Sequence, residues 1–229
     1  MIPLRHTLTN PVTPVVTRTF VAVNIIMFFV QILIGPRAET VIHTFGYMPA
    51  RLFNPAGYDY APWEVAITLV TSLFLHGGFV HLAGNMIYLW VFGGAVETSM
   101  GHLRYFLFYI AAGAFGSLMH TIVFPNSMIP SIGASGSIAG VLGAFLVLHP
   151  QARIVTLFPL VIYWAMAEIR AALFLPVWFL MQFFNGFLSL ASARGTQEVA
   201  GIAWWAHVGG FAFGAAIAAI FRVAKRSSP

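Results

Sequence analysis

The sequence predicts an all-α membrane protein: a bundle of six transmembrane helices with a long, partly helical first outer loop. Three observations predict it. Of the 229 residues, 59% are hydrophobic and only 7% are charged, whereas a water-soluble domain carries about a quarter charged residues. Apolar runs recur along the whole chain at roughly the 20-residue length that spans a bilayer. The basic residues that give the net charge of +5 lie mostly between those runs, which is where membrane topology places them. The charge is therefore read as topology, and no nucleic-acid partner is expected. Without cysteine, disulfides, thiolate chemistry and Cys-ligated zinc are excluded.

The first span covers residues 20–35. It follows a polar stretch with Arg5 and Arg18 and shows no small-x-small cleavage site, so it reads as a retained span. Residues 36–79 are too polar for lipid and too apolar for a plain linker, and within them 65–75 suggests short interfacial helices. The second and third spans cover 80–96 and 103–124. The fourth, 135–148, is short and glycine-rich. Residues 153–169 are apolar too, but Pro159 interrupts them and Glu168 and Arg170 bound them. They read as a re-entrant or interfacial connector, the alternative being a seventh span that would move the C-terminus to the other side. The fifth and sixth spans cover 171–190 and 201–223.

With the N-terminus inside, the inner segments hold Arg5, Arg18, Arg104, Arg153, Arg170, Arg222, Lys225 and Arg226, against Arg37, Arg51 and Arg194 outside. That imbalance favours both termini on the inner, cytoplasmic side. The organisation expected is a short N-terminal tail (1–18), one membrane domain (19–223) and a short basic C-terminal tail (224–229). The short termini and the lack of an appended domain suggest a prokaryotic plasma-membrane protein.

Strongly polar residues inside spans are costly and mark function. Three clusters do so here. His76 and His81 precede Asn85 at the outer end of span two, with His81 and Asn85 four apart and hence on one helix face. Gly133-Ala134-Ser135-Gly136 opens span four. Its serine lies where free amides and the positive end of the helix dipole gather. His207 lies about two turns into span six, followed by Gly210 and Gly214. That small-xxx-small face matches Gly136 and Gly140 of span four, and contact between them would bring His207 to Ser135. Spans two, four and six run in the same direction, so all three clusters reach a similar depth near the outer face.

A serine hydroxyl needs a base to become a nucleophile, and neutral imidazole is suited to the task. No Asp or Glu lies within a turn of His207, and Glu198 comes earlier in a loop. The expectation is a Ser135–His207 dyad, with His81, Asn85 and the Ser135 amide donating to an oxyanion. Glycines with His76, His81, Asn85 and Ser137 would line a wet cavity. No H-E-x-x-H is present, so no metal and no cofactor are expected. A transporter would want carboxylates in its spans, and only Glu97 lies near one, at an inner end.

The stretch Phe74 to His81, Asn85-Met86, Gly133 to Gly136 and Ala206 to Gly210, together with Glu97-xxx-Gly101-xx-Arg104-Tyr105, resembles the rhomboid family over about residues 19–223. The resemblance implies a six-span rhomboid-like bundle that cleaves transmembrane segments of other membrane proteins within lipid. It implies Ser135 as nucleophile, His207 as base, His81 and Asn85 as oxyanion donors and His76 in support. It also implies a lateral gate where span five, rich in Trp178, Phe179, Phe183 and Phe184, meets span two. Two positions depart from the family pattern. Trp63-Glu64 stands where many members have Trp-Arg, and Ala139 stands where some carry an aromatic residue one turn after the serine.

Overall fold

The structure, a computed structural model, describes residues 1–9, 11–159, 164–192 and 202–227. Arg194 and Glu198 lie outside the described residues, as do the side chains of Lys225 and Arg226. Among the described residues, five helices are long and apolar enough to cross a membrane: α1 (Val15–Leu33), α5 (Phe79–Met100), α6 (His102–Val123), α8 (Ala171–Ser192) and α9 (Trp204–Ser227). Bulky apolar side chains remain exposed on each of them: Leu33, Trp90, Ile122, Phe184 and Ile220 are all more than half exposed. Lipid is the solvent that accepts such a surface, and the protein is an integral, multi-pass membrane protein.

Helix α1 begins five residues before the apolar run does. The cause is Glu97, a buried carboxylate near the far end of α5. It accepts the amides of Val16 and Thr17, both at 2.8 Å, and the Thr17 hydroxyl at 2.7 Å. These first-turn donors have no partner within their own helix, so the carboxylate starts the helix among residues that composition alone makes polar. His102 Nδ1 closes the same group at 2.6 Å.

Between α1 and α5 the chain folds into α2 (Arg37–Phe45), α3 (Pro49–Phe53), a 3-10 turn (Ala56–Tyr58), α4 (Pro62–Thr71) and a second 3-10 turn (Ser72–Phe74). Pro49 and Pro62 sit at first helical positions, where the missing N–H costs nothing. Glu64 reaches back to accept the Ala61 amide at 2.7 Å.

The class expected from sequence needs one correction. Residues 153–169 connect the helix Ser135–Leu148 to α8 and are not a seventh span, but the connection is an antiparallel pair of strands that the all-α class did not include. They form β2 (Arg153–Pro159) and β3 (Trp164–Arg170), which join β1 (Ile2–His6) in an antiparallel sheet of order β1-β2-β3. The run Ile154-Val155-Thr156 is β-branched and favours extended backbone. Ile154 and Thr156 are fully buried and Arg153 is exposed, the alternation of a one-faced strand. Sheet and bundle meet through aromatic rings, with His6 5.6 Å from Phe145 and Phe145 5.3 Å from His149. Burial and the nearness of His149 hold His6 below the ordinary histidine range, and burial does the same to His149. The Tyr88 hydroxyl of α5 donates to the Met1 carbonyl at 3.2 Å, so the strand is tied to the bundle at both ends.

At the centre stands α7 (Ser135–Leu148), 14 residues long. Residues Gly136 to Phe145 are buried without interruption, surrounded by α5, α6 and α9. Its most extensive contact is with α9, and that contact is backbone against backbone. A methyl group built on Gly210 would overlap the Gly136 carbonyl, and one on Gly214 the Gly140 carbonyl. Helix α6 joins the seam through Gly113 beside Ser137 and Gly116 beside Ala206. Small residues permit this approach, and dispersion over the long contact holds it.

Replacing Gly214 by Val should therefore destabilise the protein by about 3 kcal/mol or more. Gly84→Ala, where an added methyl meets nothing within 4 Å, should change stability by less than about 1 kcal/mol. Reversible unfolding in bicelles measures both.

Candidate active site

Ser135 opens α7, and the turn before it is strongly constrained. Gly133 has a φ of +119°, a region that L side chains rarely adopt. Its amide donates to the Ser72 carbonyl at 2.9 Å. Two residues earlier, Ser131 and Tyr47 exchange both backbone hydrogen bonds, at 2.7 and 3.1 Å. The segment leading into the serine is thus pinned to the helices between α1 and α5.

His207 Nε2 lies 2.7 Å from Ser135 Oγ. The imidazole is only 8% exposed. The α7–α9 seam makes this possible, because Gly136, next to Ser135, abuts Gly210, about one turn from His207. His207 Nδ1 is 2.9 Å from Oε1 of Gln182 on α8. Trp178 and Trp204 flank the ring, with centroids 6.3 and 5.9 Å away. Ala139 is fully buried in the seam, and the aromatic neighbours of His207 come from α8 and α9 instead.

His81 and Asn85 lie on one face of α5 and stand over Gly133. An added methyl at Gly133 would lie 2.8 Å from the His81 ring and 3.5 Å from Asn85 Nδ2. Asn85 Nδ2 donates to His76 Nε2 at 2.9 Å. His76 is buried behind this pair, with its ring 5.1 Å from that of His81. It is held in turn by Gln31 of α1, whose amide accepts the His76 N–H at 3.1 Å and donates to the His76 carbonyl at 3.2 Å.

Ser135, His207, His81, Asn85, Gln182 and Trp178 face one cavity of about 880 Å³. The structure brings all three polar clusters to this space, with His76 one layer back. Among the described residues no Asp or Glu lines it. A hydroxyl at bonding distance from an imidazole, with polar N–H groups across the cavity, is equipped for nucleophilic attack on a carbonyl.

Two participants escaped the sequence reading. Gln31 and Gln182 each sit in a run of apolar residues, and a strongly polar side chain in a span was itself the available signal. Trp204 also stands against the site, its ring edge-on to that of His207.

The family model described as Rhomboid domain matches residues 63–224. The chain is 38% identical over 134 residues to "Rhomboid protease GluP" of Bacillus subtilis, a match covering 58% of this chain and 24% of that protein. It is 40% identical over 116 residues to "RHOMBOID-like protein 5" of Arabidopsis thaliana, covering 51% and 35%. It is 35% identical over 78 residues to "Putative rhomboid protease YdcA" of Bacillus subtilis, covering 34% and 39%. Each match spans less than half of the relative's length.

Gln31→Ala would leave the buried His76 amide and carbonyl without partners. The expected cost is about 1–3 kcal/mol of stability, measured as a lowered unfolding midpoint.

Proposed function

The chain belongs to the rhomboid family, and from that premise we propose that it is an intramembrane serine endopeptidase. It hydrolyses peptide bonds in or near transmembrane segments of other membrane proteins. The single observation that carries this reading is the 2.7 Å separation of Ser135 Oγ and His207 Nε2 inside a cavity reached by further polar groups.

In this mechanism Ser135 Oγ attacks the scissile carbonyl carbon while His207 Nε2 takes the hydroxyl proton. The oxyanion that forms is stabilised by the Ser135 amide at the N-terminus of α7, by Asn85 Nδ2 and by His81. His76 and Gln31 keep Asn85 in place. Collapse of the tetrahedral intermediate breaks the C–N bond, and His207 returns its proton to the departing amine. Water then attacks the acyl-enzyme as His207 takes its proton, and collapse breaks the acyl C–Oγ bond while His207 returns that proton to Ser135 Oγ.

The finer topology belongs to the same proposal. We count α7 as a sixth crossing, within one membrane domain of residues 19–223. The basic residues support an orientation with residues 1–18 and 224–229 on the cytoplasmic side and the cavity opening to the outer face. Strand β1 ties the first of these segments to the bundle. Substrate would enter from the bilayer where α5 faces α8, a seam filled by rings such as Tyr88 against Trp178 and Phe92 against Phe174.

The test is a reconstituted cleavage assay with a single-span membrane substrate. The native protein should cleave it with no dependence on chelator. Ser135→Ala and His207→Ala should each abolish cleavage, and activity surviving in either would overturn the reading. Asn85→Ala should lower kcat by about 10²- to 10³-fold, measured in the same assay.

A further inference from the structure

We propose that Gln182 is a positioning residue of this site: it fixes the tautomer of His207, so that the serine's base is assembled from three helices. The inference rests on the proteolytic reading above.

The argument starts from the proton count on one imidazole. A neutral histidine carries a single N–H, on either Nδ1 or Nε2. For Nε2 to accept the Ser135 proton it must be bare, so the hydrogen must sit on Nδ1. In a site that leaves His207 only 8% exposed, an Nδ1–H without an acceptor is costly. Gln182 Oε1, 2.9 Å away, is that acceptor. With the amide turned the other way, its NH₂ would donate to a bare Nδ1. The hydrogen would then sit on Nε2, facing Ser135, and no base would be present. The orientation of one amide therefore decides whether the serine can be activated.

The choice of an amide has a physical reason. A carboxylate here would need desolvation in an apolar setting, and no Asp or Glu lines the cavity among the described residues. A neutral carbonyl dipole sets the same tautomer and favours the imidazolium that forms during attack, at lower cost of burial.

The amide also reaches its place by design of α8. Trp178, Gln182 and Gly186 recur every four residues and so share one face. Trp178 and Gln182 meet His207, and Gly186 receives the Trp205 ring, which would lie 3.2 Å from an added methyl. The opposite face of α8 carries Leu180, Phe184 and Phe187, all about 60% exposed. Docking of that one face of α8 on α9 thus delivers the acceptor to Nδ1. Ser135 and His207 can sit at bonding distance through the α7–α9 seam alone, but only a docked α8 selects the productive tautomer.

The experiment compares the full-length native protein with Gln182→Met, which keeps length without a strong acceptor, and Gln182→Glu, which keeps an acceptor oxygen. In the single-span cleavage assay Gln182→Met should lower kcat roughly 10- to 100-fold, the loss expected for one hydrogen bond to a group that becomes charged. KM should stay unchanged, and Gln182→Glu should recover most of kcat. A rise in KM with kcat intact, or native kcat in Gln182→Met, overturns the proposal. The second readout needs no activity: ¹⁵N NMR of histidine-labelled protein, with the His207 signals assigned by their loss in His207→Ala. The native protein should show the Nδ1–H tautomer, and Gln182→Met should shift population to Nε2–H. An Nε2–H tautomer in the native protein, or no change on substitution, overturns the proposal. A tautomer shift in a protein that cleaves no substrate would uphold the role of Gln182 while removing the proteolytic reading.

Discussion

Gly210 and Gly214 stand so close to the Gly136 and Gly140 carbonyls that neither tolerates even a methyl group, and the other relationships in the bundle follow from that approach. It places α9 against α7 along their length, and thereby sets His207 Nε2 at 2.7 Å from Ser135 Oγ. It also leaves α7 walled in, so that its first turn opens into the cavity and not into lipid. Aliphatic side chains would give no comparable precision in a bilayer, where lipid tails match them. Backbone contact does, because carbonyl oxygens cannot repack the way side chains do.

Around that seam, several buried polar groups pair across helices distant in sequence. Glu97 ties α5 to the first turn of α1. Gln31 ties α1 to the backbone of His76, which ties in turn to Asn85 of α5. Gln182 ties α8 to α9. Each such group would be expensive if left alone in an apolar interior. Satisfied across helices, they fix relative rotation and height, which apolar packing leaves loose. The residues facing the cavity are thus backed by two separate polar chains, Gln31–His76–Asn85 and Gln182–His207.

Much of this was legible in the sequence, and the parts that were not share a cause. Apolar run length located the long helices, and for α7 the segment read from the sequence, 135–148, has the same limits as the helix. Spacing put His81 with Asn85 on one face, and alternation of spans put the three polar clusters at one depth. What stayed hidden depends on contacts between residues far apart in the chain. Strand β1 pairs with residues some 150 positions away, so residues 2–6 read locally as a polar tail. The start of α1 depends on a carboxylate 81 positions from Val16. Gln182 carries no local motif, and its meaning appears only when α8 lies against α9. Ala139 shows the converse, since the missing ring on α7 is matched by Trp178 and Trp204 from elsewhere.

The length of α7 has a consequence for how water and lipid share this molecule. Its 14 residues extend about 21 Å, against a hydrocarbon layer of roughly 30 Å. A helix this short in contact with lipid would force the bilayer to thin around it. Here α5, α6 and α9 stand between α7 and the lipid, so the membrane never meets the mismatch. With α7 counted as a crossing, as proposed, the missing height of about 9 Å, less than two turns, is left as space at the Ser135 end of the helix, where the cavity lies. In the proposed topology, ending one helix early while its neighbours keep full height is what gives a polar site room inside an apolar bundle.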